Sequence, residues 1–214
     1  MQDIGFLFDL DGVLIDSERE YSRIWTEIER LHPTGIDNFA SKIKGQTLSK
    51  ILGDNYPDEK EREEVKRLLH HMEGEMKYTY CPGAEGFLNT LNSKGCRMAV
   101  VTSSDEVKMV HLYADIPDFS KKMDCIVDAS LVKRSKPDPE GYLIGADLLK
   151  IPINRCVVFE DSVQGVKAGK NSGAFVVGVV GTKSREELSP YADILVESLD
   201  EIDLDKLHKT VSSR

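Results

Sequence analysis

GFLFDLDGVLIDSE, residues 5–18, is the stretch from which the rest of the chain is read. The apolar run Phe6-Leu7-Phe8 leads into two carboxylates at alternate positions, Asp9 and Asp11. Gly12 follows, then a second apolar run, Val13-Leu14-Ile15. Short apolar runs bounded by turn signals read as buried strands. A buried strand that ends in two acids needs something to offset their charge, either water at the strand end or a bound cation. If both acids flank that end, they share one pocket, where one can attack a substrate while the other moves protons. The bland alternative is an aspartate-rich turn, since Asp and Gly favour turns. An EF-hand loop starting at Asp9 would put Glu20 at its twelfth position, but its sixth would be Leu14 where glycine is required. That reading is rejected.

The chain of 214 residues suffices for one large domain or a domain with an insertion. With 40% hydrophobic and 30% charged residues, it is composed as a soluble globular protein. No run approaches a membrane span, so no membrane partner is expected. Asp9 interrupts the first apolar run and no basic segment precedes it, which argues against a signal peptide. Cys81, Cys96, Cys125 and Cys156 form no CxxC and read as reduced, mostly buried thiols of a cytoplasmic protein. A formal net charge of -9 argues against a nucleic-acid partner. An anionic substrate would need a cation and a few lysines to reverse the local field.

Residues 17–80 differ in texture from the segments on either side. Ser17 and Glu18 can start a helix, and Tyr21, Ile24, Trp25, Ile28 and Leu31 fall on one face. Residues 33–38 break the pattern, 43–46 form a turn, and 48–52 a short helix. A helix is expected over 58–80, with Val65, Leu68, Leu69, Met72 and Met76 as its stripe. No convincing strand is found here, so the stretch reads as an all-helical insertion. His70 and His71 are adjacent and point to different faces, which favours surface or partly buried roles over metal binding.

From Cys81 onward, strands and helices alternate. Strands are expected at 97–101, 125–127, 156–159, 174–180 and 193–196. Helices are expected from Phe87 to a cap at Gly95, and over 106–114, 139–149, 162–171 and 204–211. Asp138 is the expected N-cap of the helix at Pro139. This alternation predicts an α/β fold, a three-layer Rossmann-like core around a parallel sheet. In such sheets ligands bind beyond the carboxyl ends of the strands. The polar residues directly after the apolar runs are Asp9, Asp11, Thr102, Glu160 and Asp161, with Lys136 as a loop cation.

Crowded carboxylates repel unless a hard cation sits among them, and oxygen ligands suit Mg²⁺. Phosphoryl transfer uses the remaining groups, namely a nucleophile, a proton carrier and donors for the phosphoryl oxygens. Each member also has a dull reading: Thr102 as a helix cap, Glu160-Asp161 as an acidic helix start, Lys136 as a solvated lysine. GVKAGK at 165–170 is one residue short of a P-loop and is followed by Asn171.

DLDGVLIDSE, VVTSS, KPDPE and FEDSVQG, in this order, resemble the four motifs of the haloacid-dehalogenase superfamily. The insertion after the first motif resembles that family's small helical cap, and the combination is most similar to the β-phosphoglucomutase-like subgroup. The resemblance implies a core of residues 1–16 and 81–214 and a cap of 17–80. It implies Asp9 as a nucleophile that becomes an aspartyl-phosphate, and Asp11 as acid, then base. Thr102, Ser103 and Lys136 would hold phosphoryl oxygens. Mg²⁺ would be bound by Asp9, Asp161 and the carbonyl of Asp11, with Glu160 close by. Asp11 favours phosphoester chemistry over dehalogenation, which does not require such a partner. To act as an acid Asp11 must be protonated, so its carboxyl should be pushed upward as the site closes.

The partner is therefore a small phosphorylated metabolite. A phosphatase admits water to the aspartyl-phosphate, whereas a mutase excludes it and re-presents a sugar hydroxyl. Tyr21 stands where such mutases are expected to carry a histidine. Leu48, three residues after Gly45, stands where they are expected to carry an arginine for the second phosphate. Both departures favour the phosphatase, with the mutase, a dehalogenase and a non-catalytic binding module as alternatives. Substrate selectivity is expected from Ser17, Tyr21, Lys44, Gln46 and Thr47. Oligomeric state is not readable from the sequence.

Overall fold

A computed structural model describes residues 3–213. Six parallel strands form one sheet in the order β3-β2-β1-β4-β5-β6. They are β1 (Gly5–Phe8), β2 (Arg97–Val101), β3 (Cys125–Val127), β4 (Cys156–Glu160), β5 (Phe175–Val179) and β6 (Ile194–Val196). β1 lies centrally, pairing Phe6 with Met98 on one side and with Val157 on the other. A strand buried on both faces reads as a continuous apolar run, and β1 and β4 are wholly buried. Successive side chains point to opposite faces. Phe6 and Phe8 enter one core with Met98, Val100 and Phe159, and Leu7 enters the other with Ala99, Val101 and Val158.

The helices are α1 (Glu18–Leu31), α2 (Phe39–Lys42), α3 (Leu48–Asn55), α4 (Glu59–Gly74), α5 (Ala84–Ser93), α6 (Glu106–Asp115), α7 (Glu140–Leu149), α8 (Val163–Ser172), α9 (Arg185–Leu188) and α10 (Leu204–Ser212). α5, α6 and α10 cover the Phe6 face, and α7 and α8 cover the Leu7 face. This is the expected three-layer α/β arrangement. α1 packs on α2 and α4, α3 on α4, and α4 on α6.

Three local expectations are corrected. Val13-Leu14-Ile15 is not a strand. Gly12 turns the chain at φ +75, and Leu14 and Ile15 both donate to the Leu10 carbonyl at 2.9 Å, so the run folds as a buried tight turn. The helix expected over 58–80 stops at Gly74. Glu75 turns the chain, and the segment that follows leads back, with Tyr80 in an antiparallel bridge to Ile15 and Asp16 donating to the Thr79 carbonyl at 2.9 Å. The return offers backbone partners that a continued helix could not reach, and apart from this isolated bridge no strand forms over residues 17–80, as expected. Pro139 precedes α7 rather than opening it, while Asp138 still accepts the Glu140 N–H at 3.0 Å.

Candidate active site

Asp9 follows β1 directly, and its backbone N–H donates to the Phe159 carbonyl at 2.9 Å, which holds it at the carboxyl edge of the sheet. Its side chain is buried. The Lys136 ammonium donates to Asp9 Oδ1, to Glu160 Oε1 at 2.5 Å and to the Val101 carbonyl at 3.3 Å. It also lies 5.2 Å from the Tyr142 ring centroid. Burial opposes its charge, yet Asp9 and Glu160 together hold its pKa above the ordinary lysine range.

Glu160 is fully buried and both oxygens are engaged. Oε1 accepts from Lys136 and from the Tyr142 hydroxyl at 2.7 Å. Oε2 accepts the Asp161 and Ser162 N–H groups at 3.1 and 3.2 Å and the Ser162 hydroxyl at 3.1 Å. Gly165, in the first turn of α8, lets this happen, since a Cβ there would stand 1.8 Å from Glu160 Oε1. Gly165→Ala is expected to overpack the site by about 2 kcal/mol, roughly 4–8 °C in Tm for a chain of this size. A thermal melt checks this, and an unchanged Tm would mean that Glu160 has somewhere else to go.

Asp161 is 2% exposed and its Oδ2 has no hydrogen-bond partner. Gly12 gives it room: a Cβ there would come within 2.1 Å of that oxygen. Burial, then Glu160 and Asp9, push the Asp161 carboxyl well up. Burial also pushes Asp9 up to about 8, against the pull of Lys136 and with the push of Glu160 and Asp11. One ammonium cannot offset both carboxylates that it touches as well as a third. Asp9, Glu160 and Asp161 offer oxygens within 4.8 Å of one another. Counting Asp11 and its partner Lys108, four carboxylates face two ammonium groups, leaving two formal negative charges. That is the charge of one divalent cation. The orphaned Asp161 oxygen, the charge and the all-oxygen donor set fit a hard divalent ion at Asp9 and Asp161.

A cleft of about 830 Å³, partly open to solvent, lies beyond these residues. Asp9, Asp11, Asp161, Ser103 and Ser104 line one side; Tyr21, Trp25, Leu48, Ile51 and Leu69 line the other. Asp11 accepts from the Ser17 hydroxyl, from the Ser104 hydroxyl at 3.2 Å, and from Lys108 Nζ at 2.5 Å to both oxygens. These donors hold the Asp11 carboxyl at both of its oxygens. The Tyr21 hydroxyl donates to Glu73 Oε1, and Glu73 Oε2 is buried without a partner.

A model of the haloacid dehalogenase-like hydrolase family matches residues 5–173. The chain belongs to that family. This hydrolase is 34% identical over 208 residues to hexitol phosphatase A of Escherichia coli, covering 94% of both chains. It is 27% identical to β-phosphoglucomutase of Bacillus subtilis, covering 95% of this chain and 93% of the other. The solved β-phosphoglucomutase of Clostridium difficile has a TM-score of 0.80 at 26% identity, over 100% of this chain and 98% of that one. A hydrolase from Pseudomonas syringae shares the fold, with a TM-score of 0.83 at 22% identity over 95% and 99% of the two chains.

In this haloacid dehalogenase-like hydrolase Asp9 and Asp11 after β1, Glu160 and Asp161 at the end of β4, and Lys136 from the loop before α7 converge. Thr102 is buried beside them, donating to Ser104 Oγ at 2.9 Å, and it lines a smaller neighbouring cavity with Lys136. Ser103 lines both cavities and donates to the Gly45 carbonyl at 2.8 Å. Lys44 and Gln46 line the main cleft, but Thr47 does not. Its hydroxyl pairs with Ser135 at 2.8 Å in the smaller cavity. Ser17 precedes α1 without capping it, because its hydroxyl is turned to Asp11. Lys108, Ser104, Glu73 and Glu18 were not foreseen. Ser104 belongs to the polar run after β2, and that strand-end position is a signal that could have found it; Lys108 carries no such signal. Nothing in the sequence brings Glu73 to this place; the packing of α4 on α6 does.

Proposed function

We propose that the protein is a Mg²⁺-dependent phosphatase acting on a small phosphorylated metabolite, a sugar or polyol phosphate, through an aspartyl-phosphate on Asp9. The observation that carries this reading is the pair Asp9 and Asp11 at the end of one buried strand. Asp9 is held against Lys136 beside the free oxygen of Asp161, and Asp11 faces the cleft. Residues 17–80 would act as a helical cap over a core of 1–16 and 81–214. The cysteines are free, which fits a reducing compartment such as the cytoplasm.

In this reading a carboxylate oxygen of Asp9 attacks phosphorus as the bond to the leaving oxygen breaks. Asp11 gives that oxygen its proton, then takes a proton from the water that attacks the aspartyl-phosphate and releases inorganic phosphate. Lys136 offsets charge between the anionic nucleophile and an anionic ester, and Thr102 and Ser103 would donate to phosphoryl oxygens. When bound at Asp9, Asp161 and the Asp11 carbonyl, Mg²⁺ supplies charge stabilisation for the transferring group. Glu160, with both oxygens occupied, would act by holding Lys136 rather than as a ligand.

A mutase is the second reading, favoured by the likeness to β-phosphoglucomutases. Four features of the cleft weigh against it. Its lining cations are Lys44 and Lys108, and each is paired, with Glu18 and Asp11 respectively. Leu48 lines it where a second phosphate would need a cation, and the Tyr21 hydroxyl is committed to Glu73. Glu73 adds a carboxylate that would repel a second phosphate. The test is phosphate release from a panel of sugar, polyol and nucleotide monophosphates with Mg²⁺ and with EDTA, beside conversion of β-glucose 1-phosphate to glucose 6-phosphate. Mg²⁺-dependent release is expected. Efficient isomerisation without release would overturn the phosphatase.

A further inference from the structure

Lys108 lies in the first turn of α6, three residues after the N-cap Asp105, yet it is only 5% exposed. Lysines at such positions ordinarily run their stems along the surface and keep the ammonium in water. Here Nζ is 2.5 Å from both oxygens of Asp11 and 4.0 Å above the centre of the Tyr21 ring. The ring is fixed in turn by its hydroxyl on Glu73. The start of α6 is anchored as well: Asp105 accepts the Lys108 N–H at 3.1 Å and pairs with His70 of α4 at 2.9 Å. A buried ammonium is tolerated only when paired, and its pairing here is with a proposed proton carrier.

A carboxylate contacted at both oxygens by one ammonium cannot turn about its own axis without losing a contact. Ser17 on Oδ1 and Ser104 on Oδ2 fix the same plane from two further directions. General acid catalysis demands this restraint, because the acid must stay within hydrogen-bond reach of the leaving oxygen. We propose that Lys108 is a positioning residue that holds the Asp11 carboxylate plane toward the leaving-group oxygen. Its loss is then felt in proportion to how much the leaving group needs a proton. This inference rests on the phosphatase reading above, with Asp11 as the proton carrier.

Two esters of similar shape separate the effect. p-Nitrophenyl phosphate releases a phenolate that is stable without protonation, whereas p-nitrobenzyl phosphate releases an alkoxide that is not. In Lys108→Met, kcat/KM for the benzyl ester is expected to fall about 100-fold, and for the phenyl ester only a few-fold. KM should change little for either. Lys108→Arg, which keeps a cation and donors, should recover part of the lost benzyl activity. The ratio of the two activities within one preparation does not depend on how much of the variant is folded. An equal fall on both esters would mean that Lys108 acts on the phosphoryl group or the fold, and would overturn the proposal. So would unchanged activity on both. If the wild type hydrolyses neither ester nor any member of the phosphate panel, the phosphatase reading fails first and this inference with it.

Discussion

Asp9→Asn is expected to lower kcat by on the order of 10⁴-fold or more and to leave no phosphorylated protein after rapid quenching with a labelled substrate. The side chain is almost unchanged in shape, so the effect is chemical: an amide oxygen is a far weaker nucleophile than a carboxylate. The substitution should leave the fold intact. Asp9 is buried among Glu160, Asp161 and Asp11, and burial together with Glu160 and Asp11 outweighs the pull of Lys136 on it. Removing its charge relieves that repulsion, while Lys136 keeps Glu160 as a partner at 2.5 Å. In EDTA the variant's Tm is therefore expected to equal or exceed that of the wild type at pH 8. Retained turnover with a normal Tm would mean that another group is the nucleophile. Lost turnover with a collapsed Tm would mean that Asp9 holds the structure together.

The second large effect is a dependence of stability on pH that a divalent cation removes. The Asp9 carboxyl is raised from 3.8 to about 8, chiefly by burial, and Asp161 is raised in the same direction. Between these values the folded chain keeps a proton that the unfolded chain has released. Stability then falls as pH rises, because the folded state binds more protons. The contribution is fully present below about 3.8 and is lost as pH climbs through about 8. In EDTA, Tm is expected to decline from pH 5 to pH 8. With saturating Mg²⁺ the charged carboxylates gain a partner, and binding to the folded state alone adds about 2.7 kcal/mol at 100 times Kd. The gap between the EDTA and Mg²⁺ curves should widen with pH and shrink in Asp9→Asn. Parallel curves across this range would contradict the proposed cation site.

Much of the proposed site was legible because it obeys a rule of position. In a parallel sheet every strand delivers its next residue to one edge, so Asp9, Thr102 and Asp161 could be collected by reading the residues just after each apolar run. Lys136 follows no strand and was added to the set as a loop cation. Glu160 reads in sequence as a metal neighbour; its occupied oxygens make it the support of Lys136, and only the fold of the α8 turn around Gly165 shows that. The turn at Gly12 was visible as glycine, but its outcome, a buried loop that folds back onto the Leu10 carbonyl, was not. Apolar runs at 6–8 and 13–15 look alike in sequence, and only the available backbone partners distinguish strand from turn.

The layered α/β architecture and the acids at the strand ends can be read along the chain, because period, turn chemistry and strand polarity are local properties. Which groups surround Asp11 follows instead from how the helices pack. Lys108, Tyr21 and Glu73 come from α6, α1 and α4, and they meet because those helices pack across the cleft. A contact of that kind depends on the three-dimensional placement of helix faces, which no spacing along the chain encodes.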